Sequence, residues 1–254
     1  MALQNSSDLQ KHVLATYFTL RWGTTVLAVL LPILLWGGEA IFGTDPGLKG
    51  SMSAYYHSSV GDVFVGALIV IGAVLYLYKG FSTKENCALN LAGTFVVVAA
   101  LLPTAVPVLI QQDLASCECA SQPFTAPMAH GACALLFFTC IAYVCVFRAS
   151  DTLYLIKDER RRNYYQVTYK TLGGLMVILP VTAAVLLYFL QFDLDPGKRT
   201  IIFGVEAVAV WTFAAYWAVK SCEMSETNAD AAAVMQHMSP PAQSMKDASP
   251  AMGN

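Results

Sequence analysis

The chain has 254 residues, of which 56% are hydrophobic and only 13% charged, and its mean hydropathy is +0.54. A water-soluble core cannot absorb that much apolar surface, since an average soluble domain carries about 25% charged residues. The net charge of -2, with basic residues scattered along the loops, leaves no nucleic-acid footprint, so nucleic acid is excluded as a partner.

Residues 1–19 form a polar N-terminal segment containing Lys11 and His12, read as cytoplasmic. The first apolar block, 20–42, is too long for the apolar region of a cleaved signal and is expected to remain as a helix. Five more blocks follow, at 59–79, 88–111, 127–149, 168–191 and 200–221. A bilayer core about 30 Å thick needs roughly twenty apolar residues in helical form, and each block meets that length. Lipid-exposed backbone must satisfy its own hydrogen bonds, and no barrel-type alternation is present. The expected fold is therefore all-α, a polytopic membrane bundle of about six transmembrane helices over 20–221.

An even number of spans puts both termini on one side. That side collects Lys11, Arg21, Lys79, Lys84, Arg148, Lys157, Arg160, Arg161, Arg162, Lys170, Lys220 and Lys246, twelve basic residues against three (Lys49, Lys198 and Arg199) on the other. The positive-inside bias predicts that both termini are cytoplasmic. Aromatic belts are read at Trp22, Tyr76, Tyr78, Tyr169 and Trp217 on the inner boundary, and at Trp36, Tyr188 and Phe192 on the outer one. The charged connection at 150–167 reads as a positive-inside anchor; its Arg160, Arg161 and Arg162 beside Tyr164 and Tyr165 also suit anionic lipid or a partner. Residues 222–254 turn to Pro, Ser, Ala and Met and are expected to be a disordered cytoplasmic tail.

Ionisable residues within spans are expensive and point to function by default. Here they gather at the outward end: Glu39 closing helix one, Asp62 opening helix two, His130 opening helix four and Glu206 about six residues into helix six. The first loop adds Ser51, Ser53, Tyr55, Tyr56 and His57, and Pro103 with Thr104 falls in the outer half of the third span. The inner half shows little beyond Asn90. Glu206 lies roughly 9 Å below its helix start and needs a partner, with His130 and Tyr56 as candidates for an interhelical lock. Asp62 has a bland explanation, since an acid in a first turn complements the helix dipole.

His57, Asp62, His130 and Glu206 also compose a candidate metal set, because imidazole and carboxylate ligands suit zinc. Ser53-Ala-Tyr-Tyr-His57 resembles the Ser-x-x-x-His motif of the alkaline ceramidase and adiponectin-receptor superfamily, membrane hydrolases with a zinc-bound water. That resemblance implies a zinc cofactor and a lipid hydrolase. It rests on Ser53 and His57 alone: Asp62 comes too early for the family's aspartate, no His-x-x-x-His is present, and the chain is one helix short. Cys117-Glu118-Cys119, with Asp113 nearby, offers a soft-metal or redox alternative in the third loop.

The preferred expectation is an outward-facing polar cavity formed by Glu39, Ser53, Tyr56, His57, Asp62, Thr104, His130 and Glu206, binding a small ligand, ion or lipid headgroup. Such a protein would be a transporter, sensor or accessory subunit. The alternatives are a metal-dependent lipid hydrolase and a structural subunit of a larger membrane complex. Expected partners are membrane lipid and a small ligand or ion, with a protein partner or homo-oligomer left open.

Overall fold

The computed structural model describes residues 2–43, 47–104, 125–190 and 200–227. Among them there are six α-helices and no strand: α1 (Ala2–Phe42), α2 (Gly61–Leu77), α3 (Thr83–Leu101), α4 (Thr125–Tyr143), α5 (Glu159–Leu190) and α6 (Thr200–Thr227). Four segments, Lys11–Phe42, Ala126–Leu155, Glu159–Leu187 and Thr200–Thr227, are long and apolar enough to cross a membrane. α2 is apolar but has 17 residues, about 25 Å of helix. α3 opens on the polar run Thr83-Lys84-Glu85-Asn86.

Each helix packs on its neighbours in sequence, and α6 returns to pack on α1, so the six close into a ring. Its interior is one large apolar cluster to which every helix contributes, with Ala28, Leu75, Leu89, Ile141, Met176 and Phe213 all shielded. A second cluster fills the end nearest the first loop, where Leu31 and Leu35 of α1 meet Tyr55, Phe64 and Phe203. The outer faces of the helices are apolar as well, including Val29, Ile33, Ile178 and Val181, as expected of surfaces bathed in lipid rather than water.

Helix ends follow local chemistry. Ser82 is extended at φ -138° and ψ 155°, and its hydroxyl accepts the Glu85 N–H at 3.2 Å. The Glu85 carboxylate reaches back to accept the Phe81 N–H at 2.8 Å, a reciprocal arrangement like a capping box. At the other end α3 stops at Leu101, short of the expected 111. Leu102 has ψ 127°, the extended conformation that a following proline imposes, so Pro103 terminates the helix instead of loosening a turn inside it. α2 and α3 approach closely at two glycines: a Cβ on Gly93 would lie 2.6 Å from the Gly72 carbonyl oxygen.

Three further boundaries differ from the sequence reading. α1 includes nearly all of the polar segment 1–19 in one continuous helix. The fourth span leaves α-geometry after Tyr143, passing through a π-turn at Val144–Arg148 and a 3-10 turn at Ala149–Leu155. α6 runs on to Thr227, so the first residues assigned to the tail are helical; residues 228–254 lie outside the described residues.

Candidate functional site

The first loop is a plug, and its chemistry explains much of the polar cluster at this end. Residues Ser53–His57 form a 3-10 turn whose start needs acceptors for its first N–H groups. Glu206 of α6 supplies them: its Oε2 accepts the Met52 N–H at 2.5 Å, and its carboxylate also accepts the Ser53 N–H. The Ser51 hydroxyl takes the Ala54 N–H at 3.1 Å and lies 3.0 Å from the Ser53 hydroxyl.

The far side of the turn is held by the residue after Pro103. The Thr104 hydroxyl donates to the Ser53 carbonyl at 3.1 Å, and the Thr104 carbonyl accepts from His57 Nε2 at 3.0 Å. A carbonyl only accepts, so the donor in this bond is His57 Nε2–H. Ser53, His57, Thr104 and Glu206 therefore converge on one turn, clamped between the end of α3 and the side of α6. Tyr56 sits in the turn with its ring edge-on to His57 at 5.0 Å.

The remaining candidates lie apart from this clamp. His130 Nδ1 donates to the Ala99 carbonyl at 2.7 Å and ties α4 to the end of α3. Glu39, almost fully buried, has an oxygen 3.5 Å from Lys49 Nζ. Asp62 is exposed in the first turn of α2, the position where an acid complements the helix dipole. The interhelical lock of Glu206 is thus with the backbone of Met52 and Ser53, not with His130 or Tyr56.

The metal set is not assembled. Among the described residues no group of three or more His, Cys, Asp and Glu side chains is placed to hold a metal ion. His57 and His130 are each turned onto a different carbonyl, Glu206 onto the plug and Asp62 onto the surface. Asp113, Cys117 and Cys119 lie outside the described residues.

The opposite end corrects the expectation of an apolar inner half. Lys220, read as a flank of the sixth span, and Glu223, read as tail, are 2% and 0% exposed. Lys220 Nζ meets Glu223 Oε2 at 2.7 Å, the Thr152 hydroxyl at 2.9 Å and the Ala149 carbonyl at 3.1 Å. The Thr152 hydroxyl bonds Glu223 Oε1 at 2.6 Å, and the Tyr169 hydroxyl donates to Oε2 at 2.7 Å. The ammonium also faces the rings of Tyr169 and Phe81, at 5.6 and 5.9 Å. Arg21 of α1, 2% exposed, donates to the Tyr78 hydroxyl at 3.2 Å. Glu85 is buried beside this group; burial raises its carboxyl above the ordinary 4.5, against the opposing pull of Lys220 and of the Phe81 N–H.

No family model, curated protein or solved structure matches this chain.

The two polar ends differ in kind. The group around Lys220 is a charge-balanced knot in which Lys220 and Glu223 have partners on three sides, and it joins α5, α6 and the turn after α4. Three aromatic residues assigned to the inner belt, Tyr78, Tyr169 and Trp217, belong to this interior at 3%, 1% and 1% exposure, while Trp22 and Tyr76 are exposed. Arg161 and Tyr165 of the charged connection bond Glu226 at 2.6 and 3.0 Å. The outer group is a side-chain clamp on a loop. Breaking it would free the loop's polar anchors, leaving the loop held by Met52, Tyr55 and Val60 in the second apolar cluster.

Proposed function

We propose that the protein is a multi-pass integral membrane protein with both termini cytoplasmic, whose outward end binds a small ligand, ion or lipid headgroup. It serves as a transporter, sensor or accessory subunit. The orientation rests on twelve basic residues against three. The reading of the outer end is carried by the clamp: the half-buried Glu206 carboxylate of α6 and Thr104 after α3 hold the single turn Ser53–His57 from two sides, Thr104 bonding both Ser53 and His57. Polar groups committed to a loop rather than to the helical framework suit a lid that moves with its ligand. The metal-dependent hydrolase is the weaker alternative, because His57, His130 and the carboxylates point to separate partners.

Two measurements test this. Single-cysteine chains retaining Cys87 or Cys222, both exposed at the inner end, should label with a membrane-impermeant maleimide only in inverted vesicles. Native mass spectrometry of the detergent-extracted full chain should show a bound lipid or small molecule that is lost in Glu206→Gln and His57→Ala. Labelling from the outside would reverse the orientation, and a bound species indifferent to both substitutions would remove the clamp from the binding site.

A further inference from the structure

We infer that Glu39 and the C-terminal end of α1 hold a small monovalent cation, either an alkali ion or the ammonium group of an organic ligand. This names a ligand class for the outward end and rests on the binding reading given above.

Glu39 is in the last turn of α1, where the helix dipole is negative and a second negative charge is disfavoured. Its side chain is only 4% exposed, so water does not screen it. One carboxylate oxygen has Lys49 Nζ at 3.5 Å, a long contact; the other, Oε2, is buried with no hydrogen-bond partner among the described residues. The position is enforced by Gly43, whose N–H bonds the Glu39 carbonyl at 2.8 Å. A Cβ on Gly43 would stand 2.4 Å from that carbonyl oxygen and 2.5 Å from Glu39 Oε1, so only glycine lets the carboxylate fold beneath the helix end. A carboxylate oxygen and the carbonyl end of a helix, gathered at a membrane boundary, are hard oxygen donors that stabilise a cation. Lys49 occupies part of the same field as an internal competitor.

The test uses the full chain in nanodiscs of zwitterionic lipid, at constant ionic strength, with sodium, potassium or methylammonium chloride against N-methylglucamine chloride, whose cation is too bulky to enter. A saturable rise in thermal midpoint is expected with at least one small cation. Sodium or potassium acting alone identifies an alkali ion, and methylammonium acting alone identifies an organic amine. Glu39→Gln should lose the rise, and Lys49→Met should lower the half-saturating concentration at least about threefold by removing the competing charge. Equal midpoints in all four salts, or a rise retained in Glu39→Gln, would overturn the inference. Should Glu39→Gln fail to fold, an unchanged half-saturation in Lys49→Met overturns it equally. Either failure leaves the species lost with Glu206 and His57 as a separate question, so failure of this inference is told apart from failure of the binding reading.

Discussion

Lys220 and Glu223 sit one turn apart on α6 with the ammonium 2.7 Å from Oε2, and neither reaches solvent. Two charges removed from water stabilise each other only while both are present, and removing one strands the other. Lys220→Met and Glu223→Leu should each therefore lower stability by about 3–5 kcal/mol. The double substitution Lys220→Met with Glu223→Leu should lose far less than their sum. Unfolding midpoints in detergent, arranged as a double-mutant cycle, check this; additive losses would mean that the pair is not coupled.

Glu206 has a different role and a different signature. Glu206→Ala leaves the Met52 and Ser53 N–H groups without their acceptor, at a cost of about 1–3 kcal/mol for each buried donor. The loop should open before the bundle does. Hydrogen exchange at Met52–Ser58 should accelerate while the amides of α2 and α6 keep their protection. Uniform acceleration throughout the chain would show instead that Glu206 supports the whole bundle.

The α2–α3 contact depends on the absence of side chains. Gly93→Ala places a methyl 2.6 Å from the Gly72 carbonyl, and backbone on both sides must move, costing about 1–3 kcal/mol. Gly66→Ala, on the same α2 helix with nothing within 4 Å of the new methyl, should be neutral or slightly stabilising. Comparing the two thermal midpoints separates close packing from general intolerance of substitution.

Glu85 makes stability depend on pH in an unusual direction. Its carboxyl is raised above 4.5 by burial, so the folded chain holds this proton more tightly than the unfolded chain. Stability from this group should be greatest below pH 4.5, fall as pH rises from 4.5 toward the raised value, and level off above it. Glu85→Gln keeps an acceptor for the Phe81 N–H and should flatten that part of the profile. Thermal midpoints across the acid range decide the matter; an identical slope in the variant would assign the effect to another group.

Much of the helical architecture was legible because apolar blocks of bilayer length admit few alternatives. The ends were harder. Pro103 was read as an internal residue of a longer span, although the restriction it places on Leu102 is visible in the dipeptide itself. The Lys220–Glu223 knot is hidden because charge alone counts Lys220 on the basic side and composition puts Glu223 in the tail. Helical phase was the available signal: Phe213, Trp217, Lys220 and Met224 continue one stripe, and Glu223 follows Lys220 at the spacing of an intrahelical ion pair. The outer cluster was found by type and location, but its partners were not. Glu206 bonds main-chain N–H groups 154 residues away, and backbone donors carry no residue signature.

The 41 residues of α1 measure roughly 60 Å, about twice the hydrocarbon thickness of a bilayer. A helix of that length crossing such a layer near its normal has close to 30 Å to spare. The polar turns at the start of α1 continue the same helix, so a reporter attached to them would be carried on a helical stalk rather than on loose chain.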